Sequence, residues 1–535
     1  MNEPDHLRRV ARGGALNLGG AAYEALVGVA LVAAITNGFS REAAGAVFAT
    51  TALFLIALSI VQMGTEVGLV RWLPTHVSTG QVRDVRPTLA WAAGPVAGVA
   101  TLTAIICFAL APKLAPLLVQ DGDETAVTGQ IRVLALILPV AALYQVTLAA
   151  TRGLRTMRPT VLVEAIGRNT VQLVAIVTVS AAGLGSVALV LAWSLPYVAT
   201  VAAATIYLSV LLRRFVGRDP LADGMTDGAP DDLRGSAAAF WRFTAPRALA
   251  TMTQVVLKRV DIVLVAAFVG APEAAVYTAA TRFVALGQLG VQALQQSLAP
   301  NLSALFAHRR LDHAQDVFRA TTAWTVLMAW PVYLACAALA PQLLAFFGDG
   351  YADGAAVVSI LSLTMLFATA CGSVDTVLLM SGRSWVSLAN AVVTVSVNLG
   401  LNIVFIPRMG ILGAALAWAV AIVLRNVLAL VQTKRLVGIS PLGPEAIRAS
   451  TSSLLCFGPA LVLALLTPAG VVAVLAAMGG GLVVYPLLVL HGRRRLRLPE
   501  LVGALRQHRG QRRPPDRSRD ELDQIPVGVV GSSGS

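Results

Sequence analysis

Long apolar runs set the limits on this chain. Between residues 14 and 491 they recur with short polar breaks, most of them about 19 residues or longer. A helix rising 1.5 Å per residue needs about 20 such residues to cross the roughly 30 Å of hydrocarbon in a bilayer. The runs predict about fourteen transmembrane helices, near 14–36, 43–70, 88–111, 131–151, 161–183, 185–212, 244–269, 274–305, 321–340, 355–380, 385–406, 410–433, 448–467 and 469–491. Only 13% of the 535 residues are charged, against about 25% in soluble domains, so the expected fold class is an all-α polytopic membrane protein. Short connections predict antiparallel neighbours.

The net charge of +13 raises nucleic acid as a partner. The basic residues, however, are distributed by membrane side rather than gathered into one patch interleaved with aromatics, so no nucleic-acid partner is expected. If the N-terminus is cytoplasmic, the inside segments hold Arg8, Arg9 and Arg12; Arg71, Arg83 and Arg86; Arg152, Arg155 and Arg158; Arg213, Arg214 and Arg218; Arg309 and Arg310; Lys434 and Arg435; and an Arg-rich tail. The outside loops hold only Arg41, Lys113 and Arg408, which predicts both termini in the cytoplasm. The first run is too long for a signal-peptide core and is read as an uncleaved anchor. Cys107, Cys336, Cys371 and Cys456 lie in apolar runs without a CxxC pair, so neither a disulfide framework nor a zinc site is suggested.

The polar segment 213–241, with DPLADGMTDGAPDDLRG at its centre, reads as a flexible cytoplasmic linker. An internal repeat supports a boundary there. One shift of 229 residues lays Val47, Phe48 and Phe54 on Val276, Tyr277 and Phe283, Ala111-Pro112 on Ala340-Pro341, and Gly153 on Gly382. A looser match pairs 183–193 with 410–418. The expected organisation is an N-terminal lobe at 1–212 (helices 1 to 6), the linker, and a C-terminal lobe at 242–435 (helices 7 to 12). Two extra helices within 436–491 and a disordered basic tail at 492–535 complete it, with the closing GSSGS set aside. The lobes are read as pseudo-symmetric parallel repeats.

Charges at bilayer depth need a reason, since each costs roughly 2.5 to 3.5 kcal/mol at a helix centre. Residues 242–305 carry Lys258, Arg259, Asp261 and Arg282 inside two apolar runs, and the repeat places Val29 to Val32 opposite the first three. Between two rocking lobes, a midplane cavity is where transporters hold substrate. The substrate-cavity candidates are Arg282, Lys258, Arg259, Arg168 and Glu24, a set in which cations prevail and which suits a phosphate or diphosphate. Structural readings stand beside these. Glu164 and Arg168 are four apart and can form an intrahelical pair; Asp261 can neutralise Lys258, three residues away, or pair with Arg282. Arg247 and Asp375 read as interfacial, and Arg425 is left open. Asp261, Asn390 and Asn398 are candidates for ion coupling, with Asn402 on the same helix; the alternative for the asparagines is interhelical hydrogen bonding. Pro95, Pro139, Pro196, Pro300, Pro331 and Pro486 interrupt runs and predict kinks.

At VDIVLVAAFVGAPEAAVYTAATRFVAL and LAPNLSALF the chain resembles the polysaccharide-exporter branch of the multidrug/oligosaccharidyl-lipid/polysaccharide flippase superfamily. The same character recurs in NGFSREAAGAVFATTALFLIALSIVQMGTEVGLVRWLP and NLGLNIVFIPRMGILGAALAWAVA, so the resemblance covers about 10 to 435. It implies two six-helix lobes, alternating access, and export of a polyprenyl-diphosphate-linked oligosaccharide or related glycolipid across the plasma membrane. Membrane lipids and glycan polymerases or glycosyltransferases are the expected partners. Coupling to Na+ or H+ is left open, and no other cofactor is expected. Asp261 matches the family's acidic position, whereas the cavity arginines are not fixed by a motif. The two C-terminal helices resemble the lipid II flippase arrangement without identifying that substrate.

Other classes remain in view. A multidrug or cation antiporter of the same superfamily favours acidic cavity residues over arginine. A membrane glycosyltransferase needs catalytic acids on an outside loop, and NGFSRE offers one, so the chain is expected to be a transporter rather than an enzyme. A transport-incompetent cell-wall scaffold acting through the basic tail is the third alternative.

Overall fold

The computed structural model describes residues 3–78, 84–119, 123–154, 156–216, 237–466, 470–493 and 496. Its elements are all helical, with no strand among the described residues. The first half runs α1 (Glu3–Gly38), α2 (Arg41–Val61), α3 (Thr65–Ser78), α4 (Val85–Leu118), α5 (Glu124–Gly153), a π-helical stretch (Thr160–Arg168), α6 (Asn169–Ala181), α7 (Ser186–Ser194) and α8 (Pro196–Val216). The second runs α9 (Ala237–Phe268), α10 (Ala271–Ala307), α11 (Leu311–Ala338), α12 (Ala340–Ala345), a 3-10 turn (Tyr351–Gly354), α13 (Ala355–Ala370), α14 (Val374–Met380), α15 (Ser384–Met409) and α16 (Ile411–Gln432), which ends in a π-helical turn (Thr433–Val437). Two more helices follow, α17 (Pro444–Leu466) and α18 (Val471–His491). Of the expected linker, 217–236 lie outside the described residues, as does the tail apart from Gly492, Arg493 and Leu496.

Among the described residues twelve helical stretches are long and apolar enough to cross a membrane, against the expected fourteen. Length is not what leaves out α9 and α10, at 32 and 37 residues. Lys258, Arg259 and Asp261 interrupt α9, while Glu273, Arg282 and several glutamines dilute α10. Three expected single helices are broken and a fourth changes winding. The second splits into α2 and α3 at Met63 and Gly64, whose φ angles are 48° and 73°. The fifth begins as a π helix, and the sixth divides before Pro196. The tenth divides into α13 and α14 at Gly372, where φ is 68°.

Helices α1 to α8 pack on one another, as do α9 to α16, and the two lobes meet mainly where α2 lies against α9 and α10. Lipid tails are as apolar as leucine, so this contact rests on small residues that let backbones approach. Ala44, Gly45, Ala49 and Ala52 of α2 are buried, as are Ala271, Ala274, Ala275 and Ala279 of α10. A Cβ on Gly45 would stand 1.7 Å from the Ala271 carbonyl oxygen, and one on Gly64 would stand 2.8 Å from the Ala248 nitrogen. The lobes therefore touch towards both ends of α2. Asn37 Nδ2 donates to the Phe346 carbonyl at 3.1 Å and Arg41 Nη1 to the Gly350 carbonyl at 3.3 Å at one end. At the other, Trp241 Nε1 donates to the Trp91 carbonyl at 3.2 Å, and Arg71 lies 4.1 Å over the Phe243 ring. Helix α17 packs on α11 and carries α18. Tyr485 donates to the Leu327 carbonyl at 2.7 Å, and Trp324 Nε1 to the Leu496 carbonyl at 3.0 Å.

Candidate functional site

Three polar constellations interrupt the apolar interior. The first spans the lobes. Arg168 closes the π-helical stretch, an element often found at functional sites. Its guanidinium lies 5.2 Å over the Tyr197 ring and donates through Nη1 to Gln172 Oε1 at 3.1 Å. Gln172 in turn donates to the Trp193 carbonyl at 2.6 Å. Tyr197 packs against Phe54 and Tyr144 edge to face and against Trp193 at a tilt, and Phe54 meets Trp193 edge to face. Arg168 Nε and the Tyr144 hydroxyl are buried without a partner. From the second lobe, Arg259 comes within electrostatic reach of Tyr197, and Arg282 within reach of Arg259. Arg282 Nε is likewise buried and unpartnered.

The expected pair between Glu164 and Arg168 does not form. A π helix has more residues per turn than an α helix, so a spacing of four no longer stacks the two side chains. Glu164 accepts instead from Gln145 Nε2 at 3.3 Å. Glu24, exposed on the adjoining α1, remains within electrostatic reach of Arg168.

The second constellation centres on Asp261, which is buried. Tyr277 donates to its Oδ2 at 3.1 Å and Asn402 Nδ2 to its Oδ1 at 2.7 Å. Neither Lys258 nor Arg282 pairs with it, because the α9 turn carrying Asp261 faces α15 and α10 inside the lobe. Asn402 Oδ1 and both amide atoms of Asn398 are buried without a hydrogen-bond partner. One carboxylate with two free amide oxygens is a set of hard oxygen donors, suited to a small cation. Among the described residues no group of three or more His, Cys, Asp and Glu forms a metal cluster. Asn390 is not part of the site. It exchanges amide hydrogen bonds with Gln432 at 2.5 and 3.0 Å and clasps α15 to α16.

The third is an open cavity of about 330 Å³ lined by α9, α10, α11, α13, α14 and α16 of the second lobe. Lys258 lines it, apart from Arg259 and Arg282, with which the sequence grouped it. Asp375 and Arg425, expected to be interfacial and undecided, form an ion pair of 2.6 Å in its wall. Arg247 stacks 3.7 Å over the Phe243 ring and donates to the Phe243 carbonyl at 2.7 Å, a structural role.

Sequence reasoning missed Tyr277, Tyr144, Tyr197 and Gln172. Tyr277 carried a signal, since the repeat pairs it with Phe48 and the two differ by one hydroxyl. The aromatic box around Arg168 had none, because its members come from four separate helices.

The described helices form a bundle in which twelve stretches have the length and composition of membrane spans. Residues 246–404 match the MatE family model, and over most of its length the chain shares the fold of solved MOP superfamily transporters. The lipid II flippase MurJ in an inward closed conformation superposes with a TM-score of 0.69 at 12% identity, covering 90% of this chain and 99% of that one. A multidrug resistance MATE family transporter in an inward-facing conformation gives 0.63 at 15% identity, over 78% and 94%. A MOP superfamily transporter from Pyrococcus furiosus, reported for the reverse polarity of its binding pocket, gives 0.55 at 15% identity, over 82% and 96%. No curated protein sequence matches the chain.

Proposed function

We propose that this chain flips a polyprenyl-diphosphate-linked oligosaccharide or related glycolipid across the plasma membrane by alternating access, with both termini cytoplasmic. The observation that carries the reading is the run of Arg168, Arg259 and Arg282 across the lobe interface, two of them with a buried, unpartnered Nε. Guanidinium donors in a water-poor setting favour an anion that accepts several charge-assisted hydrogen bonds, as a diphosphate does. A diphosphate sugar cannot cross hydrocarbon, while its lipid tail need not leave it. Rocking about α2, α9 and α10 therefore has to move only the headgroup.

The Asp261 constellation supports coupling to Na+ or H+. Its carboxylate and the free oxygens of Asn398 and Asn402 would hold the ion within the lobe that carries two of the three arginines. Enzymes that build or polymerise the same glycan are the partners this reading implies. The test is flipping of a fluorescent polyprenyl-diphosphate lipid in proteoliposomes. Wild type flips it and Arg282→Gln slows it at least tenfold; equal rates would sink the reading.

A further inference from the structure

The cavity of the second lobe is not needed to hold a diphosphate between the lobes, yet it gathers polar side chains and an exposed Lys258. Polar groups at membrane depth persist when they line water or a ligand. Here Gln254, Gln288, Gln292 and Gln295 all line the space and make no hydrogen bond to protein. Among the described residues no carboxylate pairs with Lys258, while Arg425 is balanced by Asp375 at 2.6 Å. The cavity thus holds one uncompensated positive charge. An unbonded primary amide offers two donors and an acceptor oxygen, which suits vicinal hydroxyls. Trp418 adds an indole face to the wall, a surface for the C–H side of a pyranose ring. The volume of about 330 Å³ lies at the lower end of small-ligand sites and fits one or two sugar rings.

We infer that this cavity is a separate recognition pocket for a sugar bearing a single carboxylate, with Lys258 as its counter-charge. A phosphate monoester carries about −1.5 to −2 at neutral pH and overshoots the one available charge, which favours the carboxylate. The inference rests on the flippase reading for the source of the sugar, the headgroup glycan, and it assigns that glycan an acidic residue.

The test uses full-length protein in lipid nanodiscs and scintillation-proximity binding of D-glucuronate, with D-glucose, D-glucose 1-phosphate and the neutral methyl ester of glucuronate as competitors. Glucuronate is expected to bind at least tenfold more tightly than each competitor. Lys258→Gln lowers that affinity at least tenfold, and Lys258→Arg restores most of it. Equal binding of glucuronate and its methyl ester, a preference for glucose 1-phosphate, or an unchanged affinity in folded Lys258→Gln overturns the inference. The ester comparison needs only wild type, so it decides the matter even where Lys258→Gln does not fold. Arg282→Gln separates the two proposals, because it removes diphosphate-lipid flipping and leaves glucuronate binding intact. Flipping that survives Arg282→Gln while glucuronate binding still depends on Lys258 would count against the flippase reading alone.

Discussion

Asn169 in the first lobe and Asn398 in the second stand 229 residues apart, at equivalent points of the repeat. Asn169 donates to the Ala165 carbonyl at 3.0 Å, within its own helix. Asn398 is fully buried, and neither of its amide atoms has a partner. The same residue at the same position of one fold is satisfied in one lobe and left open beside a carboxylate in the other. The same contrast runs along α1 and α9, where Val29, Ala30 and Val32 stand opposite Lys258, Arg259 and Asp261, and along α2 and α10, where Leu53 stands opposite Arg282. Backbone repeats that pattern too. Helix α5 runs unbroken through the position of Leu143, whereas its counterpart is broken at Gly372, which brings Asp375 to Arg425. Duplicating a fold therefore need not duplicate its chemistry. One lobe holds the buried Asp261 and the cavity-lining Lys258, Asp375 and Arg425, and the other holds Arg168 against an aromatic cluster, with Glu164 nearby.

The largest effect should come from unbalancing the Asp375–Arg425 pair. Asp375→Leu leaves a half-buried guanidinium uncompensated and should cost about 2 to 3 kcal/mol, while adding Arg425→Met recovers most of it. Thermal melting in detergent reads both variants. The equivalent Val146→Leu should cost little, and comparable losses at the two positions would erase the contrast between the lobes.

Next in size is the anion grip. Removing one charge-assisted hydrogen-bonding group is worth about 1.5 to 3 kcal/mol, so Arg282→Gln should weaken binding of a diphosphate lipid about tenfold or more. Its repeat counterpart Leu53→Gln should leave binding within about threefold of wild type. Asp261→Asn should abolish any dependence of transport on a Na+ or proton gradient without removing diphosphate binding. Transport assays with the gradient collapsed check this, and an unaltered gradient response would exclude the coupling role.

The smallest effect sharpens the opening pair. Asn169→Ala loses a helix-internal hydrogen bond and should destabilise by about 1 kcal/mol. Asn398→Leu removes an unsatisfied buried group and should leave stability unchanged or raise it. Added Na+ should raise the melting temperature of wild type but not of Asn398→Leu.

Much of this architecture was legible in the chain. Apolar run length marks membrane helices because the bilayer fixes their span. Helix breaks at Gly64 and Gly372 were hidden, since neither glycine interrupts the hydropathy and only a left-handed backbone reveals them. Charged residues announced themselves by cost, yet their partners did not. Lys258 and Arg259 are adjacent in sequence but about 100° apart on a helix, and while Lys258 lines the cavity of the second lobe, Arg259 comes within electrostatic reach of Tyr197 in the first. Asn402 and Tyr277 reach Asp261 from other helices, a convergence that spacing within one helix cannot encode.

The central claim is that the interlobe arginines hold a diphosphate while Lys258 serves a different pocket. Equilibrium binding of a sugar-free polyprenyl diphosphate to Arg168→Gln, Arg259→Gln, Arg282→Gln and Lys258→Gln tests it most directly. The account predicts at least tenfold weaker binding in each arginine variant and unchanged binding in Lys258→Gln. Full affinity in the arginine variants, or an equal loss at Lys258, would contradict it.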